Sequence, residues 1–135
     1  MAEYQSKHGI VRKPSYELYM AFVDMRNFVQ MLPEDKKEGI SADYDSLSAT
    51  VQGFNIGIKV VERIPYSEIR FEDNDAPFHF TVTIHFDQAP TGPMQTDFWI
   101  EVEAELNMMM KMMLGSKIKE ALDKIVDALV CQATN

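Results

Sequence analysis

Phe78-His79-Phe80-Thr81-Val82-Thr83-Ile84-His85-Phe86-Asp87 is the stretch that decides how this chain folds. Its apolar residues fall on every second position, with His79, Thr81, Thr83, His85 and Asp87 between them. Successive strand side chains point to opposite faces, so this stretch reads as a strand with one oily and one wet side. After Gln88–Met94, which holds Pro90, Gly92 and Pro93, the pattern returns. Phe98, Ile100, Val102, Ala104 and Leu106 point one way; Trp99, Glu101, Glu103 and Glu105 point the other. Two such strands joined by a loop predict an antiparallel pair with its apolar face turned inward.

Outward from that pair, the same period runs back to Ile40. Ile40, Ala42 and Tyr44 alternate with Ser41, Asp43 and Asp45, then Leu47, Ala49 and Val51 with Ser48 and Thr50. A turn is expected at Gly53–Asn55, followed by a strand on which Ile56, Ile58 and Val60 face inward, and a short strand with Ile69 and Phe71. Asp73-Asn74-Asp75 lacks the glycine and distal glutamate of a calcium loop and reads as a turn. Nearer the start, Ser6–Lys13 reads as a first strand. Ser15 is placed to cap a helix over Tyr16–Val23, and Asp24 to cap a second over Met25–Met31. Pro33 ends that helix, and Glu34–Gly39 follows as a charged loop.

Beyond the two strands, the period becomes helical from Asn107 to about Cys131. Met110, Leu114, Ile118, Ala121, Leu122, Ile125 and Leu129 form a stripe at steps of three and four, with Lys119, Glu120, Asp123, Lys124 and Asp127 opposite. Gly115 interrupts the helix at a cost of about 1 kcal/mol relative to Ala, which implies a close approach to a strand or a kink. The expected order is one strand, two short helices, six strands and one long helix.

At 135 residues the chain makes one domain, 1–135, without repeats or linkers. It is 46% hydrophobic and 25% charged, enough to build a core without disulfides or a structural metal. The net charge of −8, with no basic stripe, argues against nucleic-acid partners and against anionic membrane surfaces. Cys131 is the lone cysteine and fits a reducing compartment. Met1–Lys7 has no apolar signal core, and no run reaches the ~20 apolar residues of a membrane span, so the expectation is a soluble, cytoplasmic protein with no membrane insertion.

The order of elements resembles the helix-grip fold of the START-like superfamily, also called SRPBCC, which includes lipid-transfer domains, polyketide cyclase-like proteins and the birch pollen allergen. The resemblance is carried by Pro14-Ser15-Tyr16-Glu17-Leu18-Tyr19 with Asp24-Met25-Arg26-Asn27 and Pro33, by Val60-Val61-Glu62-Arg63-Ile64-Pro65, and by Leu114–Leu129. It covers nearly the whole chain. It implies an α+β fold: a curved seven-stranded antiparallel sheet wrapped around the C-terminal helix, with two short helices between the first two strands. It also implies a hydrophobic cavity between sheet and helix, and no shared catalytic residue.

The inward positions then form a wall for a small hydrophobic ligand: Ile56, Ile58, Phe71, Phe80, Val82, Ile84, Phe98, Ile100, Val102, Met110, Leu114 and Ile118. Two polar residues fall on the same parity as possible anchors or catalytic groups, Glu62 and Tyr44. A carboxylate there would be costly unless paired, unless a bulge at Val60-Val61 turns Glu62 outward. An inward Glu62 or Tyr44 would favour a cyclase- or dehydratase-like enzyme over a carrier.

No catalytic set, metal site or cofactor is expected. His79 and His85 lie ~20 Å apart along one strand, too far to share an ion. Met108, Met109, Met110, Met112 and Met113 hold half of the 10 methionines in six positions and surround the helix. They suit a ligand portal or a partner contact, including a homodimer, or else Met108, Met109 and Met112 pack under the short helices against Phe22, Phe28 or Met31. A domain that holds no ligand and works through such contacts is the third functional alternative.

Overall fold

The computed structural model describes residues 2–30, 38–51, 53–76 and 78–134. The two alternating stretches form β7 (Phe80–Ala89) and β8 (Gly92–Ala104), paired antiparallel from Phe80 opposite Ala104 to Gln88 opposite Thr96. The connection is shorter than expected, because pairing continues to Ala89 opposite Gly92 and leaves Pro90-Thr91 at the turn. Gly92 has φ of 145°, a conformation that L side chains rarely adopt.

Upstream lie β3 (Ile40–Ala42), β4 (Ser46–Val51), β5 (Phe54–Ile64) and β6 (Glu68–Asp73), in an antiparallel meander that runs into β7. The turn expected at Gly53–Asn55 is tighter, since β5 already starts at Phe54. The strand expected at Ser6–Lys13 is shorter, β2 (Gly9–Val11), and an unexpected strand, β1 (Ala2–Gln5), precedes it; both pair with β8. Among the described residues the sheet therefore has eight strands rather than the seven expected. Ser6 makes the break: its N–H donates to the Ile100 carbonyl at 2.9 Å, and its hydroxyl accepts from the Ile100 N–H at 2.9 Å. A side chain thus takes over a ladder position, so the buried backbone stays satisfied.

Between β2 and β3 come α1 (Ser15–Phe22) and α2 (Met25–Gln30). Ser15 does not cap α1. Pro14 occupies the cap position without a side-chain bond, and the Ser15 hydroxyl instead meets that of Thr96 on β8, at 3.2 Å. Asp24 does cap α2, accepting the Arg26 N–H at 3.0 Å and gripping the Arg26 guanidinium. Met31, Pro33 and residues 34–37 of the expected loop lie outside the described residues.

The C-terminal helix, α3 (Met108–Thr134), starts one residue later than expected because Asn107 is its cap, accepting the Met110 N–H at 2.8 Å. It packs against β1, β2 and β8. The Gly115 interruption is a close approach: a side chain there would begin 3.3 Å from the Tyr4 hydroxyl. At Gly9 the fit is tighter still, with Val126 Cγ1 2.5 Å from where a Cβ would sit.

The core lies where α1, α3 and the inner sheet face meet. Leu18, Tyr19 and Phe22 of α1 cover Phe86 and Phe98, with Phe22 and Phe98 stacked at 5.6 Å. Leu122, Val126 and Leu129 of α3 are buried with Ile100, Val102 and Ala104. Each large side chain so buried contributes ~1.5–3 kcal/mol. Because α3 leans on the β1–β2–β8 side, the inner face of the other half is less fully covered. Leu47, Ile56, Ile58, Val60 and Val82 are only partly buried.

Candidate ligand site

That asymmetry leaves a cavity of about 190 Å³ between α3 and the middle of the sheet. Its walls come from α2 (Met25), β5 (Ile58), β6 (Phe71), β7 (Val82, Ile84), β8 (Ile100) and α3 (Leu122, Ile125). Every lining residue is apolar. A carboxylate or ammonium would have no partner inside, and burying one unpaired is prohibitive. A cavity of ~150 Å³ lined by aliphatic and aromatic groups stays dry and takes up benzene, so this one is large enough to hold a small apolar molecule. It is smaller than the ~300–1,000 Å³ of drug-sized sites.

Of the expected wall, Ile58, Phe71, Val82, Ile84 and Ile100 line the cavity. Phe80, Phe98 and Val102 are buried in the core outside it, and Phe98 is enclosed by Phe22 and Phe86. Ile56, Met110, Leu114 and Ile118 are half-buried and lie outside it as well. Sequence reasoning missed Met25, Leu122 and Ile125. The last two sit on the apolar stripe of α3, but period alone does not say which of its turns stands over the gap.

Neither polar candidate faces the cavity. On β5, Val60 pairs with Phe71 and Glu62 with Arg70, leaving Val61 unmatched. This bulge turns Glu62 outward, where it is exposed and ion-paired with Arg70 at 3.4 Å. Two residues oppose one at a bulge, so every later side chain changes face. Tyr44 lies in the β3–β4 turn and is 45% exposed. The inner parity passes to Arg63, which stands opposite the buried Ile69.

Arg63 does not reach into the cavity but is used up beside it. Its guanidinium donates to the Val23 carbonyl at 2.9 and 3.2 Å and to the Tyr44 carbonyl at 3.3 Å. It pairs with Asp45 at 2.9 Å and lies over the Tyr44 ring. It thereby ties the α1–α2 joint, next to the wall residue Met25, to the β3–β4 turn.

The outer face carries polar clusters that satisfy one another. His85 stacks on Trp99 at 4.0 Å and bonds Glu101, while His8 covers the other Trp99 face at 4.7 Å and bonds Asp97. His79 pairs with Asp73 at 3.1 Å, so the two β7 histidines serve different partners. Among the described residues no group of His, Cys, Asp and Glu could hold a metal ion. A hollow of about 350 Å³ at the β3–β4–β5 edge includes Ser41, Asp43, Ser46, Ser48 and Asn74. Ser41 bonds Ser48 and Asp43 accepts from Ser46, so these groups are already partnered with each other. This hollow is larger, but its lining is mostly polar, with Ala42 and Leu47 among it, whereas the smaller cavity is lined by apolar residues throughout. Among the described residues no helix is long and apolar enough to cross a membrane.

No family model matches the chain, and no curated protein matches it. Solved structures do. A START superfamily protein from Mycobacterium smegmatis is 16% identical, with 98% of this chain and 97% of that one covered and a TM-score of 0.67. Norcoclaurine synthase from Thalictrum flavum is 15% identical, with 99% and 87% covered and a TM-score of 0.70. A protein from Chromobacterium violaceum is 18% identical, with 100% and 99% covered and a TM-score of 0.65. The chain has the START-like helix-grip fold. At these identities the likeness extends to architecture and not to chemistry.

Proposed function

We propose that the chain binds a small, uncharged, apolar molecule, or the apolar end of a larger one, between α3 and the sheet. One observation carries this reading: the cavity is about 190 Å³ and every residue lining it is apolar. Affinity comes from apolar area removed from water, at ~25 cal/mol per Å² before the costs of association. The enzymatic alternative loses its two named groups, because Glu62 and Tyr44 are turned away from the cavity.

Native mass spectrometry of freshly purified protein tests the reading, with Val82→Phe as the comparison. Val82 lines the cavity yet is only partly buried, so a larger side chain there can fill the space without overpacking a closed core. The native protein carries or takes up small apolar molecules, and the variant takes up less at unchanged fold. Equal uptake by both proteins contradicts the site.

A further inference from the structure

The methionine that meets the cavity is not one of the cluster at the start of α3. Met108, Met109, Met112 and Met113 are 79%, 70%, 81% and 56% exposed and do not pack under the short helices. Met25, on α2, is 2% exposed and forms part of the cavity wall. It differs from the rest of that wall in two ways. Every other lining residue is branched or aromatic, and the β-branched ones are stiff at χ1. Met25 alone has an unbranched stem with a polarizable thioether, which changes shape easily. The others also stand on sheet strands or on the long α3, whereas Met25 begins a helix of 6 residues.

The backbone at this point is fixed all the same. The Met25 N–H donates to the Tyr44 carbonyl at 3.2 Å, Asp24 caps the helix, and Arg63 holds the Val23 carbonyl. Adjustment therefore falls to the side chain. Beyond it the apolar floor continues. Ile58 of the cavity lies opposite Leu47, and Leu47 opposite Ala42, so one cross-strand row runs from β5 to β3. Leu47 and Ala42 are half-buried and packed against the core. Neighbouring strands lie ~4.8 Å apart, so the row adds ~10 Å of floor. Because α2 packs on β3 and β4, Met25 stands where the enclosed space gives way to this row.

We propose that Met25 is the specificity-determining residue of the cavity: by rotating aside it lets the tail of a guest run along Ile58, Leu47 and Ala42, and so sets how long a guest the protein holds. This rests on the cavity being the binding site. The ligand class narrows to a compact apolar group, such as a single ring, that carries an unbranched hydrocarbon tail. The enclosed space takes the group, and the row under α2 takes the tail.

Calorimetry on the full chain with benzene and n-butylbenzene tests this. In the native protein affinity rises by about fourfold for each methylene that leaves water. Met25→Ile, close in volume but stiff, keeps benzene affinity within about twofold and weakens n-butylbenzene by about tenfold or more. Leu122→Ile, the matched change on α3, keeps the native ratio of the two affinities. The native protein also gives a readout that needs no variant: between the two complexes the Met25 methyl signal moves further than those of Ile84 and Ile100. A Met25→Ile protein with the native ratio, a Leu122→Ile protein that loses it equally, or equal methyl shifts throughout overturns this inference and leaves the cavity as the site. A native protein that takes up neither compound overturns the proposed function and this inference with it.

Discussion

The guanidinium of Arg63 donates two hydrogen bonds to the Val23 carbonyl, at 2.9 and 3.2 Å, and so fastens the end of β5 to the α1–α2 joint. Only the bulge at Val61 allows this, by moving Arg63 to the inner face and Glu62 to the outer one. Replacing Arg63 with Lys keeps the charge but loses the planar fork. The expected cost is about 1–2 kcal/mol in urea unfolding, because charged hydrogen bonds to a half-buried carbonyl are lost. An unchanged unfolding midpoint would mean that the clamp is incidental.

Glu62→Gln and Tyr44→Phe should leave uptake of an apolar ligand as it is, since both residues lie outside the cavity. Leu122→Ala, which removes a buried wall residue, should destabilise by ~2–5 kcal/mol while admitting larger ligands. Thermal unfolding with and without a ligand series separates these outcomes.

Gly9 is where α3 grips β2. A Cβ there would lie 2.5 Å from Val126 Cγ1 and 2.8 Å from Val130 Cγ2, both on stiff β-branched side chains. Gly9→Ala should cost about 1–3 kcal/mol. Combining it with Val126→Ala should recover part of that loss relative to the sum of the two single changes, as a double-mutant cycle would show. Strict additivity would place the strain elsewhere.

Four carboxylates contribute to the loss of stability in acid. Asp24 is held below its ordinary value by the Arg26 guanidinium, Asp43 by the Ser46 hydroxyl and nearby N–H groups, and Asp123 by the Lys7 N–H and Lys119. At Asp73 burial pushes upward, but the Phe80 N–H and His79 outweigh it. A carboxyl lowered in the native state binds fewer protons than in the unfolded chain. Its stabilisation is present above the unfolded value of 3.8 and is lost as pH falls through the lower native value. Urea midpoints should therefore drop below about pH 4, less steeply in Asp43→Asn, which keeps an acceptor oxygen but does not titrate.

The sheet was legible in the sequence because one of its faces is wet. Phe80, Ile84, Phe86, Phe98 and Ile100 could alternate only as buried strand positions, and the structure buries all of them. The grip helix was legible from its stripe for the same reason. The bulge was legible as one of two readings, because Val60-Val61-Glu62 suits a strand in either register, and pairing with Phe71 and Arg70 selects the bulged one. The break at Ser6, where a hydroxyl stands in for a ladder group, was not legible. The site was half legible. Facing inward is a matter of parity, but bordering empty space depends on how α3 lies across the sheet. That placement selects Leu122 and Ile125 over Leu114 and Ile118. The methionines were misplaced in the packing reading because their helical period carries no information about where the neighbouring layer stops.

The proposed function requires a dry space between α3 and the sheet that accepts a guest. Methyl-resolved NMR with benzene as the guest tests it most directly, since Ile58, Ile84, Ile100 and Ile125 border that space while Ile10 and Ile64 are exposed on the surface. A guest in that space produces saturable shifts of the first four residues' methyl groups, with the other two unmoved. Absence of any shift at saturating benzene, or equal small shifts across all six, would contradict it.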